Sequence, residues 1–356
     1  MSDYLYIRSL RKVDFTVFGV DTDQKNFYDK VFNTYQPFSS GQQVKHSIVN
    51  DLLNSLNMLN APLQFNYQTD GGKLKQKEIT QPCDPSYFDQ LIRGWMSTPS
   101  KKDGSDNSEN KEGFKRRSPF SISAMTPIHP LLASLVEEKI LTFDRSDSNA
   151  EKIVIKNDKG DVMSEDDVKT FLLKSNANIS KRNLVSGKKR ANGLFKSDIS
   201  IDLRKLFRVS LNLHDIEISE ETIEKLKGNG WSEVETKQGR FLELPKKFHE
   251  EYAKAIAWSL INWKITSNQS RTFDYMSVLS IAVSNRADEV ANTIRGEIYE
   301  DGDKIKAKLV VDENCGNTNI YSTKLLNGYV LDSTTSHTAI DDAVENIKTV
   351  ILEYYK

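Results

Sequence analysis

The chain has 356 residues, enough to bury a substantial core in one large or two ordinary domains. Its formal net charge is −1, so any basic surface must be local, and overall charge points to no particular partner. No apolar run approaches the roughly 18 residues of a membrane span, the start Met1-Ser2-Asp3-Tyr4 lacks a signal-peptide plan, and Cys83 and Cys315 have no CxxC partner. A membrane helix and a disulfide scaffold are therefore excluded, and a reduced, cytoplasmic setting is expected.

Tyr4 to Val20 is rich in β-branched and aromatic residues with some alternation, which predicts a strand. A loop holding Asp21, Asp23 and Asn26 follows. Ser39-Ser40-Gly41-Gln42-Gln43-Val44-Lys45-His46-Ser47 then opens a helix expected over Gly41–Leu59. Val44, Ile48, Leu52 and Leu56, with Leu53 and Leu59 alongside, form its apolar stripe. Ser39 or Ser40 can cap it. No Asp or Glu precedes Asp51, and backbone N–H groups at a helix start attract anions. On these residues alone the segment reads either as an ordinary capped core helix or as a phosphate site.

Residues 60 to 96 are weakly patterned, and 97 to 117 are expected to be a flexible loop ending in Phe114-Lys115-Arg116-Arg117. Ser118 to Pro127 reads as a strand and Pro130 to Lys139 as a short helix. Residues 143 to 194 form a charged excursion with a turn at Asn157-Asp158-Lys159-Gly160 and a helical piece over Glu165–Leu173. The basic residues Lys181, Arg182, Lys188, Lys189 and Arg190 lead into an alternating strand, Phe195 to Leu211. Ser219-Glu220-Glu221 marks a helix start. A second large helix is expected over Pro245–Lys264, then a polar turn Ser267–Arg271 and a strand Tyr275–Val283. Strands near Lys304–Val311 and Asn319–Leu331 and a helix over Thr338–Tyr355 close the chain.

The main order, strand-helix-strand-strand-helix-strand, is that of an α+β, RRM- or ferredoxin-like (βαββαβ) fold with long insertions. His46, His129, His214, His249 and His337 are dispersed, so no metal site is expected, and no phosphate-loop, dinucleotide or nucleophile-elbow motif occurs. Asp21 and Asp23 are either turn residues bonding their own backbone or carboxylates able to assist RNA cleavage. Four clusters carry cations, amides or hydroxyls beside predicted sheet elements: Ser40, Gln42, Gln43, Lys45 and His46; Lys115, Arg116 and Arg117; Lys181, Arg182, Lys188, Lys189 and Arg190; Ser270 and Arg271. Together they suit a groove that tracks a nucleic-acid backbone. Met125, Leu194 and Phe195 read as core or as apolar surface against bases.

These residues resemble a known family. Ser39 to Ser47 is similar to the Ser-Ser-Gln-x-x-Lys-Arg segment of DevR-type (Cas-seven, RAMP) backbone subunits of type I CRISPR Cascade, with His46 where Arg is more usual. Arg116-Arg117-Ser118-Pro119-Phe120-Ser121-Ile122-Ser123 resembles that family's strand rich in Arg, Ser and Pro. Phe195 to Leu203 resembles its strand with an Ile-Asp-Leu core, and Ser267 to Arg271 its polar turn. The resemblance implies a modified RRM palm (1–96, 118–142 and 195–290, completed by 291–356) and a thumb- or finger-like insertion at 143–194. It implies a non-catalytic, cofactor-free subunit that polymerises along CRISPR RNA. The partners would be that RNA, a target DNA strand, further copies of the chain and other Cascade subunits, without a membrane. The alternative, by analogy with type III relatives, is a target-RNA endonuclease using Asp21 or Asp23.

Overall fold

A computed structural model describes residues 2–19, 24–97, 113–144, 154–177, 182–214, 216–265 and 272–356. The chain divides into two compact units, Met1–Leu135 with Ala191–Lys356, and Val136–Arg190.

In the larger unit the sequence alternation of β1 (Tyr4–Thr16) becomes two unlike faces. Leu5, Ile7 and Val13 enter the main core, whereas Leu10 enters a second, smaller one. Two hairpin strands follow, β2 (Asn26–Asp29) and β3 (Thr34–Pro37). Helix α1 (Gly41–Ser55) buries Val44, Ile48, Leu52 and Leu53 as its spacing predicts. It ends before Leu59, which stands 88% exposed outside the stripe assigned to it.

The weakly patterned stretch forms a hairpin of β4 (Gln64–Asp70) and β5 (Lys73–Thr80), then helix α2 (Phe88–Arg93) and a ribbon of β6 (Gly94–Met96) with β7 (Lys115–Arg117). The expected strand at Ser118–Pro127 is two short pieces, β8 (Phe120–Ile122) and β9 (Thr126–Pro127). The helix expected at Pro130–Lys139 does not form. One 3-10 turn, Pro130–Leu132, runs directly into β10 (Ala133–Asp144). Its Val, Ile, Thr and Phe residues favour a strand once a partner edge is present, and that partner is β11 (Arg182–Asp202). Gly193 of β11 has φ +125°, and a Cβ there would lie 2.5 Å from the Ala133 Cα.

In the smaller unit, helix α3 (Glu165–Ser175) follows the tight turn closed by Gly160 N–H to Asn157 O at 2.9 Å. Ser164 caps it and three acids occupy its first turn.

The larger unit resumes with β12 (Arg208–Ser210), the Ser219-capped α4 (Glu220–Gly228), β13 (Ser232–Thr236) and β14 (Gly239–Glu243), whose strands order β12-β14-β13. Helix α5 (His249–Asn262) follows a 3-10 turn after Pro245. Strand β15 (Val278–Ser284), short helix α6 (Ala287–Thr293), the hairpin β16 (Ile294–Asp301) and β17 (Lys304–Val311), β18 (Asn319–Ser322) and helix α7 (Ala339–Tyr354) complete the chain.

The main sheet runs β10-β11-β1-β15-β18, with β8 and β9 also on β11, and the pairs β1–β11, β1–β15, β8–β11, β9–β11 and β15–β18 are antiparallel. This is a mixed α+β fold. One sheet face packs Leu5, Ile7, Ile199, Ile201 and Ile281 against α1, α5 and α7. The other is partly covered by α6 and the β16–β17 hairpin through Val290, Ile294 and Leu309. Arg11 is fully buried between β1 and α5. Its guanidinium donates to the Ile261 carbonyl near the C-terminus of α5 and lies 4.3 Å over Trp263. Burial holds its pKa down to about 9.

Candidate nucleic-acid interface

The start of α1 is a capped helix end whose first turn carries amides and a cation. Ser40 is its N-cap, and its Oγ accepts from Gln43 N–H at 3.3 Å. The first turn holds no acid. Gly41 lets this turn lie on the backbone of β8, since a Cβ would come 2.5 Å from Ile122 O. The result is a concavity of about 420 Å³ lined by Lys25, Ser40, Gln42, Gln43, Lys45, His46 and Arg93. None of these is a carboxylate.

Lys25 is held at the rim because its carbonyl accepts from Phe38 N–H and from the Gln24 amide. Arg93 arrives from the last turn of α2. Lys45 Nζ donates to Phe120 O at 3.4 Å. Burial, and then the charge of Arg93, push Lys45 down to about 8. Burial also lowers Arg93, against the attraction of Asp89, and its Nε is buried without a hydrogen-bond partner. Two cations thus share a site that an anion would relieve.

His46 is fixed by a short relay. Arg93 Nη2 donates to Asn50 Oδ1 at 3.3 Å, and Asn50 Nδ2 lies 2.9 Å from His46 Nε2. Arginine only donates, so Asn50 must turn its oxygen to Arg93 and its amide hydrogens to His46. His46 Nε2 then accepts, and its proton sits on Nδ1. Burial, with the Arg93 charge second, lowers the His46 pKa, so the ring is neutral at pH 7. It offers the site an uncharged donor.

Of the other expected contacts, Lys115 and Arg117 are exposed on β7. Arg116 is not a surface residue. Its side chain is 0% exposed, pairs with Glu217 at 3.4 Å, donates to the carbonyls of Leu91 and Lys205, and faces Trp95. Alternation along β7 turns it inward between two outward cations. Arg190 is likewise buried. Lys188 is half-buried and Lys189 exposed, and all three are engaged by neighbours. Arg182 lies in β11. Lys181, Ser270, Arg271, Asp21 and Asp23 lie outside the described residues. Met125, Leu194 and Phe195 are core.

Sequence patterning missed Arg93 and Lys25. Each is a lone cation in an unremarkable stretch, and only the packing of α2 and of the β2–β3 entry against α1 gives it a role.

No family model matches this chain, and no curated protein matches it. Among solved structures it is similar to a chain of a CRISPR RNA-guided surveillance complex, pre-nicking, at TM-score 0.43 and 7% identity over 99% of this chain and 89% of that one. It is similar to a chain of a second CRISPR RNA-guided surveillance complex at TM-score 0.41 and 8% identity, over 96% and 99%. At such values function has to be argued from the site.

Proposed function

We propose that this chain is a non-catalytic guide-RNA-binding backbone subunit of a type I CRISPR effector complex. The observation that carries the reading is the carboxylate-free basic concavity at the start of α1, in the segment that resembles the DevR-type guide-binding helix start. Lys45 and Arg93 supply charge, and Ser40, Gln42, Gln43 and neutral His46 supply hydrogen bonds to one or two phosphates. Lys115, Arg117, Lys188 and Lys189 add further backbone contacts.

The order β15-β1-β11-β8/β9, with α1 after β1 and α5 between β11 and β15, supports a modified RRM palm. Val136–Arg190 is the thumb in this reading. Copies stack along one guide and hold it for pairing with a target strand, so base pairing and not the protein supplies sequence specificity. In this reading the chain is non-catalytic, and cleavage falls to another component.

The test is fluorescence anisotropy of labelled single-stranded RNA against salt, for the wild type and a Lys45→Glu/Arg93→Glu variant. The variant should bind at least about tenfold more weakly. Its log-log salt slope should be shallower by about 1.4 if each cation holds one phosphate. Unchanged affinity with an intact fold would remove the proposal.

A further inference from the structure

On the sheet face turned away from α1 and α5, the ladder aligns hydroxyls. Tyr6 of β1 is opposite Ser200 of β11, and Ser200 is opposite Ser121 of β8. None of these three hydroxyls has a hydrogen-bond partner among the described residues. Two positions along the same face, Arg8 is opposite Asp198. Arg8 Nε and Nη2 donate to the two Asp198 oxygens at 2.6 and 3.0 Å, and Nη1 donates to Ala291 O and Ile294 O at 2.7 and 2.9 Å. This clamp fastens α6 over the sheet. Between them lies a cleft of about 410 Å³, with the hydroxyl row and the Arg8–Asp198 pair as floor and Ala287, Val290 and Ala291 as wall.

The chemistry of the cleft differs from that of the α1 concavity. Burial would raise the Asp198 pKa, but the bonds and charges of Arg8 and Lys196 more than offset it, and the carboxyl sits below its ordinary range. An ionised carboxylate on the floor disfavours phosphate. Tyr6 offers an aromatic face, extended by Tyr4 stacked at 6.2 Å. Hydroxyls both donate and accept, as a ribose 2′-OH does. The volume lies within the range of small-molecule pockets.

The two sites are neighbours across one strand. Lys45 holds the Phe120 carbonyl of β8 from the α1 side, and Ser121 and Ser123 line the cleft from the other. We propose that the cleft is a nucleoside subsite for the nucleotide next to the phosphate held at α1, with the base against Tyr6 and the ribose 2′-OH on the Tyr6–Ser200–Ser121 hydroxyl row. This rests on the reading of α1 as a polynucleotide phosphate site, and it adds discrimination of RNA from DNA.

The experiment compares labelled single-stranded RNA with DNA of the same sequence, bound to the full chain. The Tyr6→Phe/Ser121→Ala/Ser200→Ala variant removes three hydroxyls and no shape. It should lose about tenfold in RNA affinity and leave DNA affinity within about twofold. Ala291→Trp, which fills the cleft from an exposed helix position, should weaken RNA binding as well. An unchanged RNA-to-DNA ratio in the hydroxyl variant, while Lys45→Glu still weakens both nucleic acids, overturns the nucleoside subsite alone. Binding of both that is indifferent to Lys45→Glu overturns the α1 phosphate site and this inference with it.

Discussion

Lys45 at α1 and Arg116 on β7 look alike in the sequence, since each is a cation in a short polar run. The fold gives them opposite lives. Lys45 shares a concave site with Arg93, and no carboxylate lines it. Arg116 is sealed in the core with Glu217, which also accepts from Ser210 N–H at 2.9 Å and has Lys205 3.6 Å away. A basic run becomes an interface only where the fold withholds a partner. Where the fold supplies one, the same charge fastens elements together. Here Arg116 ties β7 to α2 through Leu91 O and to the segment before β12 through Lys205 O.

Breaking this comparison is most damaging at Arg116. Arg116→Ala leaves Glu217 buried with Lys205, 3.6 Å away, as its remaining charge partner, and takes a donor from the Leu91 and Lys205 carbonyls, so urea unfolding should show a loss of about 3 to 5 kcal/mol. Arg117→Ala next to it should stay within about 0.5 kcal/mol. If both cost the same, the inward and outward assignments on β7 are wrong.

The next effect is one of pH and belongs to Lys45. Its folded pKa of about 8 lies below the ordinary 10.5, because burial and Arg93 disfavour the charged form. The unfolded chain therefore binds more protons between those values, and this lysine makes stability rise with pH from about 8 to 10.5. RNA binding should move the other way. Affinity should fall several-fold between pH 7 and 9 as Lys45 loses its proton, and Arg93→Ala should shift that fall to higher pH. Titration of RNA affinity against pH in the two proteins checks both signs. A flat profile would mean that Lys45 does not hold the phosphate.

The smallest effect separates the helix cap from the ligand. Ser40→Ala removes the bond to Gln43 N–H and should cost about 1 kcal/mol in thermal unfolding. Its loss of RNA affinity should be less than that of Lys45→Glu. An equal loss would make the cap itself the main contact.

Much of this fold was legible beforehand, and particular residues show why. Val44, Ile48 and Leu52 recur at helical spacing and are all buried. Ser219 precedes two acids and caps α4. Ile340, Val344, Ile347 and Ile351 line one side of α7, and β17 spans Lys304–Val311 as its alternation predicts. These signals are local, since period and cap chemistry act within a few residues. Pro130–Lys139 reads as a helix in the sequence, and the strand at Ala133–Asp144 does not show, because nothing nearby reveals the β11 edge it pairs with. The β4–β5 hairpin is not legible in the sequence because its apolar residues, Phe65, Tyr67, Leu74 and Ile79, are few and exposed, so no buried face imposes a pattern.

The sequence by itself determined that the start of α1 is a capped helix end with cations and no early acid. Local spacing and local charge are sufficient for that. Only the tertiary structure decided that Arg93 and Lys25 join it, that Asn50 and Arg93 set the His46 tautomer, that Arg116 leaves the interface, and that Tyr6, Ser200 and Ser121 share one row. Those facts depend on which distant strands and helices meet. Burial and pairing, which set the charge state and availability of each group, exist only once they do.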